Sequence, residues 1–248
     1  MYKRQRQNRA EQIFTDVYRK IELCAAVLVA LMLEICIITR HLVVKPLLQY
    51  SQSIQRGQIF PVVGAAELQE LALTYNEVYR ENQETQKLIR HEAEHDALTD
   101  ALNRGSFEKI LNIYEGGEKP FAMIICDIDI FKQVNDLHGH TVGDLILRKV
   151  ARLLTTTFRS IDYVCRIGGD EFAVIMVDVG RELSHTVSDK IELINDALSN
   201  PTDGLPAVSL SVGVAFTDRE NPGESIFKDA DQALYRVKQN GKHDCGFY

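Results

Sequence analysis

Arg166-Ile167-Gly168-Gly169-Asp170-Glu171-Phe172 decides how the rest of this chain is read. Apolar, strand-forming residues flank it, so the pattern predicts two short strands, residues 163–167 and 172–177, joined by a tight turn. The two glycines permit positive φ and put no Cβ in the way of an approaching ligand. Asp170 and Glu171 then load the tip with carboxylates. A bare, acidic tip suits a metal-bound polyphosphate, because hard divalent cations take carboxylate oxygens and share their remaining coordination with substrate phosphates. Alone, such a hairpin is an ordinary solvated turn. Its neighbours in the sequence give it meaning.

Upstream, residues 121–126 form a continuous apolar run, the mark of a strand covered on both faces. It ends in Asp127-Ile128-Asp129, and strand alternation puts the two aspartates on one side of the sheet, where one or both can reach a metal. Phe131-Lys132 opens a helix whose free backbone amides suit phosphate oxygens. Asn135-Asp136 and then 139–144, Gly-His-Thr-Val-Gly-Asp, follow. Asn and Asp side chains pair well with a guanine edge, which offers N–H donors beside acceptors. An amphipathic helix is expected from about 144 to 158, another from 183 to 198, a strand over 208–216 and a last helix over 226–238. Before all of these, residues 95–104 lead into a helix carrying Phe107, Ile110 and Leu111. The order βα, ββ, αβ predicts an α+β fold, a ferredoxin-like palm with an antiparallel-containing sheet and helices on one face. In such a palm the end of the first strand lies beside the hairpin tip, bringing Asp127 and Asp170 to the same metal ions. His138 and His140 read as turn-packing residues, and Met123 and Met176 as strand core.

Composition narrows the class. The chain has 248 residues, 45% of them hydrophobic, enough for one globular domain with attachments. A net charge of -7 argues against nucleic acid as a partner. Five cysteines with no C-x-x-C pair indicate neither a disulfide framework nor a zinc site, so the folded part reads as reduced and cytosolic. No Walker-type G-x-x-x-x-G-K is present, which counts against an ATPase.

The N-terminal part departs from this picture. Residues 21–39 are nearly all apolar, interrupted by Glu22 and Glu34, and come close to the ~20 residues a spanning helix needs. Glu34 is the objection, at a cost on the order of 2.5–3.5 kcal/mol for an acid at depth. Lys3, Arg4, Arg6, Arg9, Arg19 and Lys20 precede the segment, against Arg40, His41 and Lys45 after it. Positive-inside reasoning then places the N-terminus in the cytoplasm, where the C-terminal domain must also lie. Both hold if another span precedes this one or if the helix does not fully cross. After it, Lys45-Pro46-Leu47 is expected to restart the chain, with a helix to about Arg56, a connector holding Gly57, Pro61 and Gly64, and a second helix from Glu67. In that second helix Leu68, Leu71, Tyr75, Val78, Asn82, Thr85 and Ile89 alternate at spacings of three and four, the seam of a parallel dimeric coiled coil with a register-fixing Asn82. The two helices loosely resemble a HAMP signal-relay module. The organisation expected is a basic segment (1–20), a transmembrane helix (21–40), a HAMP-like and coiled-coil linker (41–90) and a catalytic domain (91–248).

Five motifs in order, His95 to Asn103, Asp127 to Asp136, Gly139-His140 with Gly143-Asp144, Arg166 to Phe172, and Ala230 to Tyr235 with Lys238 and Asn240-Gly241, resemble the GGDEF family of diguanylate cyclases. The resemblance implies condensation of two GTP molecules into cyclic di-GMP with release of pyrophosphate, each GTP held by one subunit of a homodimer at the bacterial inner membrane, with the catalytic domain in the cytoplasm. It assigns Asp127 and Asp170, with the carbonyl of Ile128, to two Mg2+ (or Mn2+) ions per site, and Glu171 to metal binding or deprotonation of the 3′-hydroxyl. Asn135 and Asp144 match the guanine readers, and Lys132 and Lys238 the phosphate contacts. Phe131, Gly168, Gly169 and Lys242 complete the substrate-binding set. Lys242 stands where the family usually has arginine, keeping the charge but losing the bidentate fork. Asp100 replaces a common glycine and receives no role. Arg159-Ser160-Ile161-Asp162 matches the family's R-x-x-D inhibitory site, where cyclic di-GMP would act as allosteric ligand; in isolation an Arg and Asp so spaced form a surface ion pair. Two rival readings are a silent GGDEF domain that binds GTP or cyclic di-GMP as a receptor, and a cyclase on the same palm using ATP. The surviving carboxylates disfavour the first, and Asn135 with Asp144 the second.

Overall fold

The computed structural model describes residues 2–248, with side chains from Phe14 onward, so the side chains of Lys3, Arg4, Arg6 and Arg9 lie outside the described residues. It divides into two compact units, residues 1–87 and 88–248.

In the first unit α1 (Tyr2–Thr39) passes through a π-helical turn, Arg40–Val44, straight into α2 (Lys45–Gln55). The expected restart at Pro46 does not occur. The amide of Lys45 bonds Arg40 O, five residues back, and this widened turn takes in a proline that has no N–H and would crowd the carbonyl four residues before it. Among the described residues, Phe14–Gln55 is the one helix long and apolar enough to cross a membrane, and its most apolar window has nothing packed on it. The chain leaves α2 at Gly57, whose φ of 61° favours glycine. It then enters α3 (Ala66–Glu94). The Phe60 ring lies between Tyr50 and Tyr75, with centroids 4.6 and 3.8 Å away. Asn76 holds the Phe60 backbone on both sides, accepting from its N–H at 2.6 Å and donating to its carbonyl at 2.8 Å. The buried face of α3 is therefore Ala72 and Asn76, with Leu68 and Tyr75 beside them. Leu71, Val78 and Ile89 of the anticipated seam are exposed.

In the second unit, α4 (Arg104–Glu115) starts at Asn103, whose side chain accepts from Ser106 N–H as an N-cap. Then come β1 (Phe121–Ile128), α5 (Phe131–His138), α6 (His140–Thr157), β2 (Tyr163–Arg166), β3 (Glu171–Val177), a 3-10 turn (Arg181–Leu183), α7 (Ser184–Ser199), β4 (Leu210–Phe216), α8 (Ile226–Gln239) and β5 (Cys245–Phe247). The sheet order is β2-β3-β1-β4-β5. The first four strands are antiparallel neighbours in the ferredoxin-like arrangement, and β5 adds a parallel edge beside β4.

Helices cover both faces rather than one. Ala122, Ile124, Cys126 and Ile128 face α5, α6 and α7 through Val134, Val150, Leu154, Ile191 and Ile194. The alternate residues Phe121, Met123 and Ile125 face Phe107 of α4 and Ala230 and Leu234 of α8. The helices inside the βαββαβ repeat take one face, and the two outside it take the other. This is the reason residues 121–126 of β1 are all apolar, since burying each such large side chain contributes about 1.5–3 kcal/mol. Gly213 of β4 lies against Ala230 O and Leu234 N of α8, where any Cβ would fall inside contact distance. The helix thus rests directly on the sheet, and this fixes the height of Lys238 one turn further on.

Candidate active site

The site forms where the C-terminal end of β1 meets the β2–β3 turn. Asp127 pairs in register with Glu171, and Ile128 N–H donates to Asp170 O at 3.2 Å. The turn closes with Ile167 N–H and Gly168 N–H both donating to Glu171 O. Neither Gly168 nor Gly169 adopts the positive φ their identity permits. Their smallness matters sterically instead. A Cβ on Gly168 would come within 2.5 Å of Glu171 Oε2, whereas Gly169 faces open space at the tip.

Lys238 of α8 places Nζ 2.6 Å from Asp127 Oδ2. Burial pushes the Asp127 carboxyl above its ordinary range; the Lys238 hydrogen bond and charge oppose this, while the nearby Asp170 and Asp129 carboxylates add to it, and the net shift is upward. Crowded acids, half-buried and incompletely neutralised, together with the backbone carbonyl of Ile128 beside them, make a hard-oxygen donor set of the kind that divalent cations take. These residues fit a Mg2+ or Mn2+ ion.

Asp129 does not share this role. Its two oxygens accept from Ser209 Oγ (2.6 Å), Ser211 Oγ (2.7 Å) and His243 N–H (3.2 Å), and the residue is buried. The expectation of a metal ligand at Asp129 gives way to a structural role: a saturated carboxylate brackets the end of β1, the start of β4 and the loop carrying Lys242.

Ile130, at φ 57°, turns the chain into α5, whose first intrahelical bond runs from Val134 N–H to Ile130 O. Lys132 stands exposed on that first turn, and Phe131 packs its ring partly into the core. Gly139, at φ 84°, joins α5 to α6, which begins at His140, four residues earlier than the pattern predicted, so Asp144 sits in its early turns. Gly143 faces Asn135 so closely that a Cβ there would overlap Asn135 Oδ1. That oxygen is buried and has no hydrogen-bond partner. Lys242, at φ 65°, is exposed in the loop after α8.

A brace that sequence reasoning passed over holds the turn from behind. Arg166 Nη1 bonds Asp96 Oδ1 at 2.9 Å, and Nη2 bonds Gly169 O at 2.8 Å. Burial pulls Asp96 upward, but the Thr99 hydroxyl and the Arg166 guanidinium outweigh it and hold the carboxyl below its usual range. The signal was present as Asp96-x-x-Thr99, an Asx-type turn in which the aspartate accepts from Thr99 N–H and Oγ.

Arg159 and Asp162 are together but far from this cluster, beside Val177 at the opposite end of β3. Asp162 is closed upon itself. It accepts from Arg159 Nε (3.1 Å), Nη2 (2.8 Å) and N–H (2.9 Å) and from Val177 N–H (3.1 Å), and its side chain is 0% exposed. The Arg159 guanidinium also donates to Val177 O and remains 41% exposed. The pair is thus a strand clasp rather than a surface ion pair.

Residues 93–244 match the family described as diguanylate cyclase, GGDEF domain, and the chain belongs to that family. It is 33% identical over 174 residues to the diguanylate cyclase DgcM of Escherichia coli K12, covering 66% of this chain and 40% of that protein. It is 33% identical over 164 residues to the probable diguanylate cyclase DgcT of the same organism, covering 63% and 36%. The chain therefore spans well under half the length of these curated relatives. Among solved structures, the coiled coil and GGDEF domain of DgcB from Caulobacter crescentus, in complex with c-di-GMP, superimposes with a TM-score of 0.61 at 29% identity, covering 72% of this chain and 97% of that one.

Proposed function

We infer that this chain is a membrane-tethered, dimeric diguanylate cyclase that joins two GTP molecules into cyclic di-GMP. The observation that carries the reading is the convergence of Asp127, Asp170 and Glu171 at the end of β1 with Lys238 drawn onto Asp127. A site lacking its acids would have no use for that lysine.

In the reaction each 3′-hydroxyl loses its proton and attacks the α-phosphate of the opposite GTP, and pyrophosphate leaves in line. Bound at Asp127, Asp170 and the Ile128 carbonyl, Mg2+ would supply charge neutralisation at the phosphates and a lowered hydroxyl pKa. Glu171, exposed at the tip, would aid metal binding or take the hydroxyl proton. Lys238 would exchange Asp127 for triphosphate oxygens, and Lys132 and Lys242 would add positive charge around them. The unpaired amides of the first turn of α5 would add hydrogen bonds to the phosphate oxygens. Asn135 Oδ1, an acceptor without a donor, is what a guanine N–H would satisfy, and Asp144 would take the second N–H. Gly143 keeps the space over Asn135 open.

The apolar Phe14–Gln55 helix supports the tether, and the aromatic stack around Phe60 supports a HAMP-like helical relay over residues 41–90. The exposed Leu71, Val78 and Ile89 of α3 are available for pairing with a second copy, and the catalytic domain would take residues 91–248, in the cytoplasm. Product inhibition would act at Arg159, whose half-exposed guanidinium can fork onto a guanine or phosphate, with Asp162 released from its clasp to take the base.

The test is the full chain in nanodiscs with GTP and Mg2+, assayed for cyclic di-GMP, beside an Asp170→Ala, Glu171→Ala double variant. Product from the first and none from the second supports the enzyme. Tight binding of GTP or cyclic di-GMP with no turnover would replace the reading with a receptor.

A further inference from the structure

His91, His95 and Asp100 gather where the last turn of α3 meets the loop before α4. Their ligand atoms lie within 4.8 Å of one another. His91 Nε2 is 2.7 Å from Asp100 Oδ1, and His95 Nδ1 is 3.9 Å from the same oxygen and 2.7 Å from Asp100 O. The two imidazoles stand one helical turn apart, stacked with centroids at 3.9 Å. None of the three belongs to the active site described above.

The spacing is chemically specific. Residues i and i+4 on a helix project from one face. Two imidazoles so placed, with a carboxylate opposite, form a mixed nitrogen–oxygen set suited to a borderline divalent transition cation rather than to Mg2+. A tetrahedral site with metal–ligand bonds of about 2.0–2.1 Å has its ligand atoms roughly 3.3 Å apart. The 2.7 and 3.9 Å separations bracket that value and the third pair lies within 4.8 Å, so a metal needs side-chain adjustment only, with His95 Nδ1 giving up its hydrogen bond to the Asp100 carbonyl, or its ring turning to offer Nε2. The present 2.7 Å contact is the hydrogen bond these groups make on their own.

The backbone at the third position is also unusual. Asp100 holds φ at 61°, a left-handed conformation that glycine adopts freely and an aspartate only at some cost. The position is one where glycine would serve the turn better, and the carboxylate it carries instead points at two histidines. The loop is anchored on its other side, since Asp100 N–H donates to Asp96 O and Leu102 pairs with β2 through Val164 O and Arg166 N–H. An ion bound here would cross-link the end of α3 to a loop already fixed to the sheet.

We propose that His91, His95 and Asp100 form a second metal site, distinct from the catalytic one, that takes Zn2+ or a similar transition cation with water completing the coordination. The test uses the full chain, freed of metal by chelator, titrated with Zn2+ against a chromophoric competitor. Wild type is expected to bind one equivalent more than a His91→Gln, His95→Gln variant. Asp100→Gly, which relieves the left-handed strain and so keeps the fold, is expected to bind that equivalent at least tenfold more weakly. Asp127→Asn is expected to retain it. Co2+ added to wild type should give a visible d–d band of tetrahedral intensity that is absent in the histidine variant. Equal Zn2+ uptake by wild type and the histidine variant, or loss of the extra equivalent in Asp127→Asn, would overturn the proposal.

Discussion

Lys238 Nζ lies 2.6 Å from Asp127 Oδ2, so an ammonium from the last long helix partly offsets the burial of the carboxylate at the end of the first strand. The contact joins two residues far apart in the chain, and it makes the charge state of the site depend on how α8 is seated.

The Asp127 carboxyl titrates above its unfolded value of 3.8, so its contribution to stability is fully present below that pH and is lost as pH rises through the folded pKa. At pH 7 the ionised group therefore works against folding. Asp127→Asn should melt about 2–4 °C higher than wild type while forming no cyclic di-GMP. Differential scanning fluorimetry with and without Mg2+ checks both parts, because Mg2+ should raise the midpoint of wild type and leave the variant unmoved.

Lys238→Met removes the group that pulls Asp127 back down. The acid limb of Mn2+ binding, followed by electron paramagnetic resonance, should move to higher pH in this variant. An unchanged limb would mean that the 2.6 Å contact does not set the carboxylate's affinity for protons.

Gly143→Ala drives a methyl group into Asn135 Oδ1 without touching any carboxylate. The expected result is a KM for GTP raised roughly 10-fold with kcat changed less, since a hydrogen-bonding group left unsatisfied on burial costs about 1–3 kcal/mol. Steady-state kinetics on the intact chain separates the two parameters.

Asp162→Ala strips partners from the part-exposed Arg159 guanidinium, which water can replace, and from the buried Val177 amide, which it cannot. A loss of about 1–3 kcal/mol is expected, read as a lower denaturation midpoint at unchanged slope. Arg159→Ala should cost less, because its guanidinium is part-exposed and Asp162 keeps two backbone donors, and it is the cleaner test of the product inhibition proposed above.

The sequence told most where a local rule sufficed. The run from Phe121 to Cys126 declared a strand, and the glycine-bearing acidic turn was expected between two strands and lies between β2 and β3. The strand's unbroken burial already implied two covered faces, yet the order of elements suggested helices on one; α4 and α8 lie outside the repeat from which that order was drawn. β5 was missed because three residues, one of them glycine, carry no periodicity, and its pairing with β4 exists only once α8 is docked. Asp129 misled for a related reason. At the end of a strand it looks like Asp127, and only Ser209 and Ser211, some 80 residues away, distinguish a bracket from a ligand. The continuity of helix through Pro46 was likewise hidden, since a π turn has no residue signature of its own.

The clasp at Asp162 has one more consequence. A carboxylate that already accepts four hydrogen bonds cannot take another without releasing one, so a purine reaching Asp162 would have to displace either the Arg159 donors or the Val177 amide, the second of which lies at one end of the strand whose other end bears Glu171. The Val177 proton is thus a built-in reporter, silent to deuterium while the clasp is shut and exchanging once Asp162 has been recruited elsewhere.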